Sequence, residues 1–419
     1  MAREFTDYTS LDGALDILRK NAKIPPRREV VPLGRSLGRI LYEDIMSGYD
    51  VPARESSHMD GFAVRSSDLR LASPSKPVRL RYVKGAALGS VPRRRVKSGE
   101  AQTVLTGGFV PRGADTVVQA ERVKVAGRFV EVSNPVERGE HVYPRGKDVR
   151  KGEKILGAGR TVRGTDQTLL GSLHVAKVAV FARPRVAIIP TGNELTERIV
   201  GTEPGKITES HSYLFSRLVE GAGGLPVVMP IAPDDSAQIS RSIRAGLGAA
   251  DVVLTIAGSS VSEKDLTEDA INRTGRPGVL VHGLKVHRGR VMGFGAVGGK
   301  VVVILPGSIQ GGVNAFIVMA YPLIRALLGR GFEKPPSVPA TMGNDWDAVE
   351  RYKNFSKIVY VKLVTDGSSL VADASVAETE RMTLLTRSDG YVLVEESVTA
   401  LRRGDPVRVH LLPGLWSLL

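Results

Sequence analysis

The chain contains no cysteine among its 419 residues. This absence excludes disulfide bonds, thiolate nucleophiles and sulfur-ligated metal ions, and it is compatible with a reducing or hot interior. No stretch approaches the ~20 consecutive apolar residues of a membrane-spanning helix. The first twenty residues, MAREFTDYTSLDGALDILRK, carry early acids and have no signal-peptide hydrophobic segment. We therefore expect a cytoplasmic protein without a membrane partner.

Clustered basic and aromatic residues of the kind that bind nucleic acids are also lacking. The net charge is +14, but the basic residues are scattered along the chain. The densest cluster, Arg93-Arg94-Arg95, has no aromatic residues interleaved to stack on bases. A basic surface explains this charge without a nucleic-acid partner, and its positive field would attract an anionic small substrate.

The composition, with 42% apolar and 24% charged residues, is that of a globular protein. The length predicts two to four domains. Helical spacing over residues 8–22 precedes short β-type runs between about 77 and 135, which Gly and Pro separate. From residue 183 strand and helix patterns alternate, which predicts a parallel α/β domain, and β-type runs return after the proline-rich segment EKPPSVPA.

The predicted fold is therefore multidomain α/β plus β. We assign residues 1–50 and 140–182 to an N-terminal domain and residues 51–139 to an inserted β-rich domain. Residues 183–331 form the predicted α/β domain, and residues 338–419 a small C-terminal β-barrel or sandwich.

Three loops rich in small residues lie where ligands bind in α/β domains, beyond the carboxyl ends of the strands. They are Pro190–Glu194, Ala257–Ser262 and Leu305–Gly312. Each could be an ordinary turn or a cradle in which backbone N–H groups bind a phosphate. No phosphate-binding P-loop or dinucleotide-binding glycine pattern is present.

Carboxylates lie close in sequence to these loops. Acids beside a phosphate cradle are suited to bridging Mg²⁺, although each alone could instead cap a helix or face solvent. These acids are Glu194, Asp234, Asp235, Glu263 and Asp265.

Six segments resemble, in the same order, the motifs of the molybdopterin molybdenumtransferases, the MoeA-type enzymes to which gephyrin is related. MDGFAVRSSD resembles the MDGYAV segment, and RPRVAIIPTGNEL resembles PRVAVLSTGDEL. The remaining matches are LTGGFVPRGADTVVQAE, RGKDVRKGEKIL, GKITESHSYLFSRLVEGAGG and DVVLTIAGSSVSEKD, so that the resemblance spans residues 50 to 330.

The resemblance implies an elongated N-terminal region, a three-layer α/β domain like that of MogA, and a homodimer. It also implies a reaction in which molybdate, or tungstate in some relatives, is inserted into adenylylated molybdopterin with Mg²⁺ and release of AMP. A molybdopterin adenylyltransferase is an implied partner.

The resemblance further implies roles for the residues that match the family motifs. Asp60 would face the substrate cleft of the other subunit; alternatively, it caps a helix or turn that holds the domain hinge. The implied catalytic residues are Asp60, Thr106, Asp148, Glu194, Asp234, Asp265 and Arg290, and the implied metal ligands are Glu194, Asp234 and Asp265. The implied binding residues are Thr191, Gly192, Gly258, Ser259, Ser260, Ser262, His287, Arg288, Pro306, Gly307, Ser308, Lys357 and Thr379.

Several positions depart from the family pattern. Asn193 replaces the acid of TGDEL, and the segment His287–Val291 replaces the basic segment KPGKP, so that arginines stand for lysines. Gly311 occupies the position of the serine in PGNPVS, and Ser308 lies nearby. Two glycines of the SGGVSVG loop have become serine and glutamate, and Lys357 and Thr379 correspond only loosely to an Arg and a Ser of the oxyanion site.

Two functions follow from these departures. The protein is a transferase with an altered oxyanion pocket, or it is a paralogue that binds molybdopterin or a partner protein without turnover. A nucleic-acid-binding protein is a third hypothesis that rests on net charge alone.

Overall fold

The computed structural model describes residues 8–199, 204–257, 266–374 and 382–411. Its contacts divide the chain into two units, which we call the insert unit (Val30–Val180) and the main unit (Met1–Glu29 with Phe181–Leu419). The main unit begins with helix α1 (Leu11–Asn21), where the Ser10 hydroxyl accepts a hydrogen bond from Gly13 N. The helix predicted over residues 8–22 is thereby confirmed. Strand β1 (Arg28–Pro32) follows it.

The insert unit contains a six-stranded sheet in the order β7-β4-β6-β5-β9-β8. Its strands are β4 (Gly61–Val64), β5 (Val78–Val83), β6 (Glu100–Val104), β7 (Thr116–Gln119), β8 (Val123–Ala126) and β9 (Phe129–Val132). These strands confirm the β-type runs between about 77 and 135. Phe62, Leu80, Val118 and Val130 lie in the core on one face of the sheet.

A second core in the insert unit joins Leu41, Leu156, Leu170 and Val180. The elements outside the six-stranded sheet are β2 (Ile45–Met46), β3 (Ser56–Ser57), β10 (Val142–Tyr143), β11 (Lys154–Leu156), α2 (Gly164–Ser172) and β12 (Lys177–Phe181). The domain boundaries at residues 50/51 and 139/140 stay predictions.

The α/β region of the main unit has a six-stranded sheet in the order β16-β13-β17-β21-β20-β18. Its strands are β13 (Arg185–Pro190), β16 (Leu225–Val228), β17 (Val252–Ile256), β18 (Pro277–His282), β20 (Gly293–Val297) and β21 (Lys300–Leu305). The other elements are β14 (Leu195–Thr196), β15 (Ile207–Thr208), β19 (Val286–His287), α3 (His211–Ala222), α4 (Ser236–Ala249), α5 (Leu266–Thr274), α6 (Ile309–Ala315) and α7 (Tyr321–Leu327), with a π-helical turn at Phe316–Ala320.

The sheet is mixed, so the prediction of a parallel α/β domain holds for four of its strands and is wrong for the other two. Strands β16, β13, β17 and β21 are parallel, whereas β20 and β18 run antiparallel to their neighbours. The cause is the two-residue turn Gly298-Gly299, whose positive φ angles of 58° and 83° join β20 to β21 as a hairpin.

The α/β region has three layers. Helices α4 and α5 place Ile239, Ile243 and Ile271 against one face of the sheet, in a core with Ile189. Helix α3 contacts the same strand, β13, and also helix α7. The predicted three-layer α/β domain is confirmed.

The C-terminal region closes into a five-stranded barrel, because β24 pairs with both β25 and β26 in a ring completed by β22 and β28. Its strands are β22 (Ser337–Met342), β24 (Ser356–Asp366), β25 (Ser369–Ala374), β26 (Gly390–Val394) and β28 (Pro406–Leu411). The remaining elements are β23 (Trp346–Asp347), α8 (Met382–Thr386) and β27 (Ala400–Leu401). Among the helices that the structure describes, none has the length and apolar character needed to cross a membrane.

Candidate functional site

The loop after β13 is anchored to the adjacent strand. Thr191 is fully buried, and its Oγ1 donates a hydrogen bond of 3.0 Å to the carbonyl oxygen of Ile256 at the end of β17. Gly192 follows, and its N–H donates to the Ala232 carbonyl at 3.0 Å. Thr191 and Gly192 therefore fix the backbone at the carboxyl edge of the sheet, and the residues after them project beyond it.

Asn193 and Asp234 tie this loop to the loop after β16. The Asn193 N–H donates to Asp234 Oδ2 at 2.9 Å, and the Asp234 N–H donates to Asn193 Oδ1 at 3.2 Å. Lys206 Nζ also donates to the Asn193 carbonyl at 2.6 Å. Asn193 stands where the family has an acid. Its Oδ1 accepts a hydrogen bond from the Asp234 N–H and so holds Asp234 beyond the carboxyl edge of the sheet.

The acids near these loops have different roles. Asp235 caps helix α4, because its Oδ1 accepts a hydrogen bond from Gln238 N at 2.9 Å. Glu194 and Asp234 are exposed, and their hydrogen bonds within the described residues leave the Glu194 carboxylate and Asp234 Oδ1 without partners. The sequence alone did not distinguish the helix cap from the two available carboxylates.

Glu194 and Asp234 are carboxylates, the kind of ligand that Mg²⁺ takes in proteins. Mg²⁺ in phosphate-transfer sites is commonly held by one or two carboxylates together with water and substrate phosphates. Within residues 8–199, 204–257, 266–374 and 382–411 there is no group of three His, Cys, Asp or Glu residues that could hold a metal. A site built by these two acids alone therefore needs substrate or further residues to complete it.

The loop after β21 is packed closely against the end of β17. A Cβ on Gly307 would lie 2.9 Å from the Cβ of Ala257, so only glycine fits without displacement. Ser308 Oγ lies 2.7 Å from the position that a Cβ on Gly311 would take. A side chain at position 311 would therefore require the Ser308 hydroxyl to move. Pro306 is buried beside it.

The basic segment around His287 is anchored to helix α6. Asn314 is fully buried; its Nδ2 donates to the Arg288 carbonyl at 2.8 Å, and its Oδ1 accepts from the Tyr360 hydroxyl at 2.7 Å. A Cβ on Gly289 would lie 3.3 Å from the Gly311 carbonyl oxygen, so the two backbones are in close approach. Arg288 is therefore held against the loop that contains Ser308.

Three cations surround His287. Burial lowers the pKa of His287 to about 4, with further lowering by Arg288, Arg290 and Lys357. The imidazole is consequently neutral near pH 7 and stacks on Tyr352 with ring centroids 4.3 Å apart. The Tyr352 hydroxyl in turn accepts a hydrogen bond of 2.5 Å from Arg290 Nη1.

Lys357, for which the resemblance implies a binding role, lies in the core of the barrel with its ammonium directed at backbone carbonyls. The side chain is only 2% exposed, and Nζ donates to the carbonyls of Lys353, Glu396 and Val398 at 2.6, 3.2 and 2.8 Å. The Glu395 carbonyl is a fourth, longer acceptor at 3.5 Å, so that carbonyl oxygens engage all three N–H groups of the ammonium. Lys357 therefore contributes charge to the surroundings of His287 and no donor to an anion.

Asp60 and Thr106, which lie 46 residues apart in the sequence, meet in the insert unit. Asp60 Oδ1 accepts hydrogen bonds from Thr106 N at 2.6 Å and from Thr106 Oγ1 at 2.8 Å. The backbone and then the side-chain bond from Thr106 lower the pKa of Asp60. The pair is exposed on the surface of this unit, and Asp148 is a separate exposed acid whose N–H donates to the Val51 carbonyl at 3.0 Å.

Several predicted site residues lie outside the described residues, namely Gly258, Ser259, Ser260, Ser262, Asp265 and Thr379. Sequence reasoning missed three residues that organise the basic segment: Asn314, Tyr352 and Tyr360. Asn314 could have been suspected, since a polar amide in the apolar run VNAFIVMA needs a buried partner. No sequence signal points to either tyrosine.

Comparison with known proteins gives matches over most of the chain. The MoeA N-terminal region (domain I and II) matches residues 9–173, and a probable molybdopterin binding domain matches residues 187–326. A molybdopterin molybdenumtransferase 2 of Mycobacterium tuberculosis is 30% identical over 71% of this chain and 75% of its own. A putative molybdopterin biosynthesis protein of Methanocaldococcus jannaschii is 28% identical over 95% of this chain and 94% of its own.

Among solved structures, a molybdopterin biosynthesis MoeA protein from Pyrococcus horikoshii superimposes with a TM-score of 0.86. That protein is 30% identical, and the match covers 97% of this chain and 99% of the other.

Proposed function

The chain belongs to the molybdopterin molybdenumtransferase family of molybdenum cofactor biosynthesis, and we propose that it inserts molybdate or tungstate into adenylylated molybdopterin with Mg²⁺ and release of AMP. The observation that carries this proposal is the fixed position of a basic segment beside the loop after β21. Asn314 binds the Arg288 carbonyl at 2.8 Å, and Gly289 lies against Gly311. The segment that carries Arg288 and Arg290 therefore lies next to the loop that carries Ser308. An anion bound at that loop would lie close to this basic segment.

We assign substrate binding to the loops at the carboxyl edge of the sheet. The buried Thr191 and the closely packed Gly307 hold two loops with small residues at the positions where a polyanion can approach the backbone. Arginine binds an oxyanion as a planar fork, so Arg290 can make two parallel hydrogen bonds where a lysine would offer a point charge. The neutral imidazole of His287 contributes no charge of its own at neutral pH.

Glu194 and Asp234 would hold the Mg²⁺ ion, and Asp265 remains a predicted third ligand. When bound, Mg²⁺ neutralises the charge of a pyrophosphate that is being split. Asn193 positions Asp234 for that role through the pair of hydrogen bonds between the two loops. In the insert unit, Thr106 keeps Asp60 in its charged form by two hydrogen bonds to one carboxylate oxygen.

We also propose that the protein acts as a homodimer and receives its substrate from a molybdopterin adenylyltransferase, as the family resemblance implies. Static light scattering at micromolar concentration tests the first point, and a monomer there would contradict it.

A second candidate function, a paralogue that binds molybdopterin without turnover, is favoured by two observations. Lys357 has no donor left for a ligand, and glycine stands at position 311 in place of a serine. In this alternative the pterin would bind and AMP would not be released.

The test is AMP release from adenylylated molybdopterin, measured by chromatography with and without Mg²⁺ and with molybdate or tungstate. Asp234→Asn and Asp235→Asn form a matched pair, because the two acids are adjacent and only Asp235 caps helix α4. Asp234→Asn should raise the Mg²⁺ concentration for half-maximal release by roughly tenfold or more. Asp235→Asn should behave as the wild type, since asparagine also caps helices. Equal effects of the two substitutions would contradict the assignment, and binding without release would favour the paralogue.

A further inference from the structure

Arg290 stands in a setting that is unusual for a half-buried arginine. Within the described residues it contacts one aromatic side chain twice: Nη1 donates to the Tyr352 hydroxyl at 2.5 Å, and the guanidinium carbon lies 5.7 Å from the centre of the Tyr352 ring. No ion pair joins Arg290 to a carboxylate in the part of the chain that the structure describes. Its positive charge is therefore oriented by Tyr352 and has no carboxylate partner among the described residues.

Tyr352 is itself held on two sides. One side of its ring stacks on His287 at 4.3 Å with an interplanar angle of 19°. Phe355 packs edge-on at 5.4 Å, and Tyr8 packs edge-on against Phe355 at 5.0 Å. Aromatic rings have few rotatable bonds, so such contacts fix the hydroxyl with little residual freedom. The hydroxyl is a defined acceptor for one guanidinium N–H.

The chemistry of arginine makes this arrangement consequential. A guanidinium has five N–H donors in a rigid fork, and one bond to a neutral hydroxyl leaves four donors and the full charge. A carboxylate in the same place would also orient the arginine, but it would cancel the charge and compete with an incoming anion. A lysine would need no such partner, because its ammonium is a rotating point charge.

We propose that Tyr352 is a positioning residue that orients Arg290 for a tetrahedral oxyanion. This inference rests on the proposed function, since it takes the oxyanion of that reaction as the ligand of Arg290. Tyr352 acts through Arg290, so its contribution depends on the presence of the arginine. The hydrogen bond from Arg290 to Tyr352 holds the guanidinium in one orientation for more of the time. We therefore expect Tyr352 to affect the affinity for the oxyanion and not the rate of the chemical step that follows binding.

The experiment compares the full-length wild type with Tyr352→Phe, Arg290→Ala and the double variant. AMP release is measured as a function of molybdate and of tungstate concentration, and oxyanion binding is measured by isothermal titration calorimetry at constant ionic strength. Phenylalanine keeps the ring against His287 and removes only the hydroxyl. Arg351→Ala serves as the control, because that exposed guanidinium lies 5.9 Å from the centre of the same ring.

We expect Tyr352→Phe to raise the half-saturating oxyanion concentration by roughly three- to tenfold and Arg290→Ala by roughly ten- to a hundredfold. The maximal rate at saturating oxyanion should change little for Tyr352→Phe. The double variant should equal Arg290→Ala, because the tyrosine has nothing left to orient. Arg351→Ala should match the wild type.

Two results would overturn the inference and leave the proposed function intact. One is an unchanged oxyanion response of Tyr352→Phe in an active enzyme. The other is a double variant whose effect is the product of the two single effects, since Tyr352 would then bind the anion independently. A wild type with no oxyanion response at all would overturn the proposed function itself, together with this inference.

Discussion

Asn314 connects the core of the main unit to the basic segment by hydrogen bonds, and its replacement by alanine tests whether these bonds position the segment. The amide makes two hydrogen bonds in a fully buried position, one to the Arg288 carbonyl and one from the Tyr360 hydroxyl. Tyr360 is 2% exposed, and burial raises the pKa of its phenol well above the usual range. The hydroxyl therefore stays protonated and needs an acceptor.

The magnitude follows from these two bonds. Leaving the buried Tyr360 hydroxyl without its acceptor costs about 1–3 kcal/mol, and losing the bond to the Arg288 carbonyl costs about 0.5–1.5 kcal/mol. Asn314→Ala should thus destabilise the main unit by roughly 1.5–4.5 kcal/mol. Tyr360→Phe removes one of the two bonds and should cost roughly half as much.

Two assays separate stability from function. Hydrogen exchange of the amides in helix α6 reports local stability, and the oxyanion dependence of AMP release reports the position of the basic segment. We expect Asn314→Ala to accelerate exchange and to raise the half-saturating oxyanion concentration, and Tyr360→Phe to affect mainly exchange. The reasoning would be refuted if Asn314→Ala exchanged like the wild type, or if it lost stability with an unchanged oxyanion response.

Four further predictions concern the remaining charges. Asn193→Asp should lower the Mg²⁺ concentration for half-maximal activity, because it adds a charge beside Glu194 while keeping an acceptor for Asp234 N; a Mg²⁺ titration that shows weaker or equal affinity contradicts this. The half-saturating oxyanion concentration should be flat from about pH 6 to 8, because the pKa of His287 is about 4. The pKa of His287 is about 4 in the folded protein and 6.5 in the unfolded chain, so the unfolded chain binds more protons between pH 4 and 6.5. The free energy of unfolding should therefore rise with pH over this range. The contribution of His287 to this rise should be absent in His287→Gln. Thr106→Val removes one of two hydrogen bonds to Asp60 and should raise the pKa of that carboxyl, whereas Thr106→Ser should restore it; carbon-detected NMR titration that finds no difference between the two would argue against the pairing.

Much of the fold was predictable because local patterns agree with it. From residue 183 strand and helix patterns alternate in the sequence, and the structure has strand β13 at Arg185–Pro190 and helix α3 at His211–Ala222 in that stretch. The two antiparallel strands of the sheet, β18 and β20, were missed although their signal was present. Gly298-Gly299 is a two-residue turn between apolar runs, and such a turn produces a hairpin rather than a parallel crossover.

The site was less predictable because its contacts join distant residues. Asp60 and Thr106 are 46 residues apart, and Tyr360 meets Asn314 across another 46. Sequence motifs flagged the first pair and gave no sign of the second. Lys357 could have been anticipated as a buried residue, because residues two apart in a strand lie on the same face. Lys357 therefore shares a face of β24 with Val359 and Val361, which line the barrel core. Its ammonium is satisfied there by carbonyl oxygens, a possibility that strand periodicity leaves open.

The most direct test of the central claim is the metal content of the product. The purified protein is incubated with adenylylated molybdopterin, Mg²⁺ and molybdate or tungstate, and the pterin product is separated and analysed for bound metal by mass spectrometry. The account predicts a metal-containing pterin formed in equal amount to AMP, and less of both with Asp234→Asn at limiting Mg²⁺. A pterin that stays adenylylated and metal-free in the presence of bound protein would contradict it.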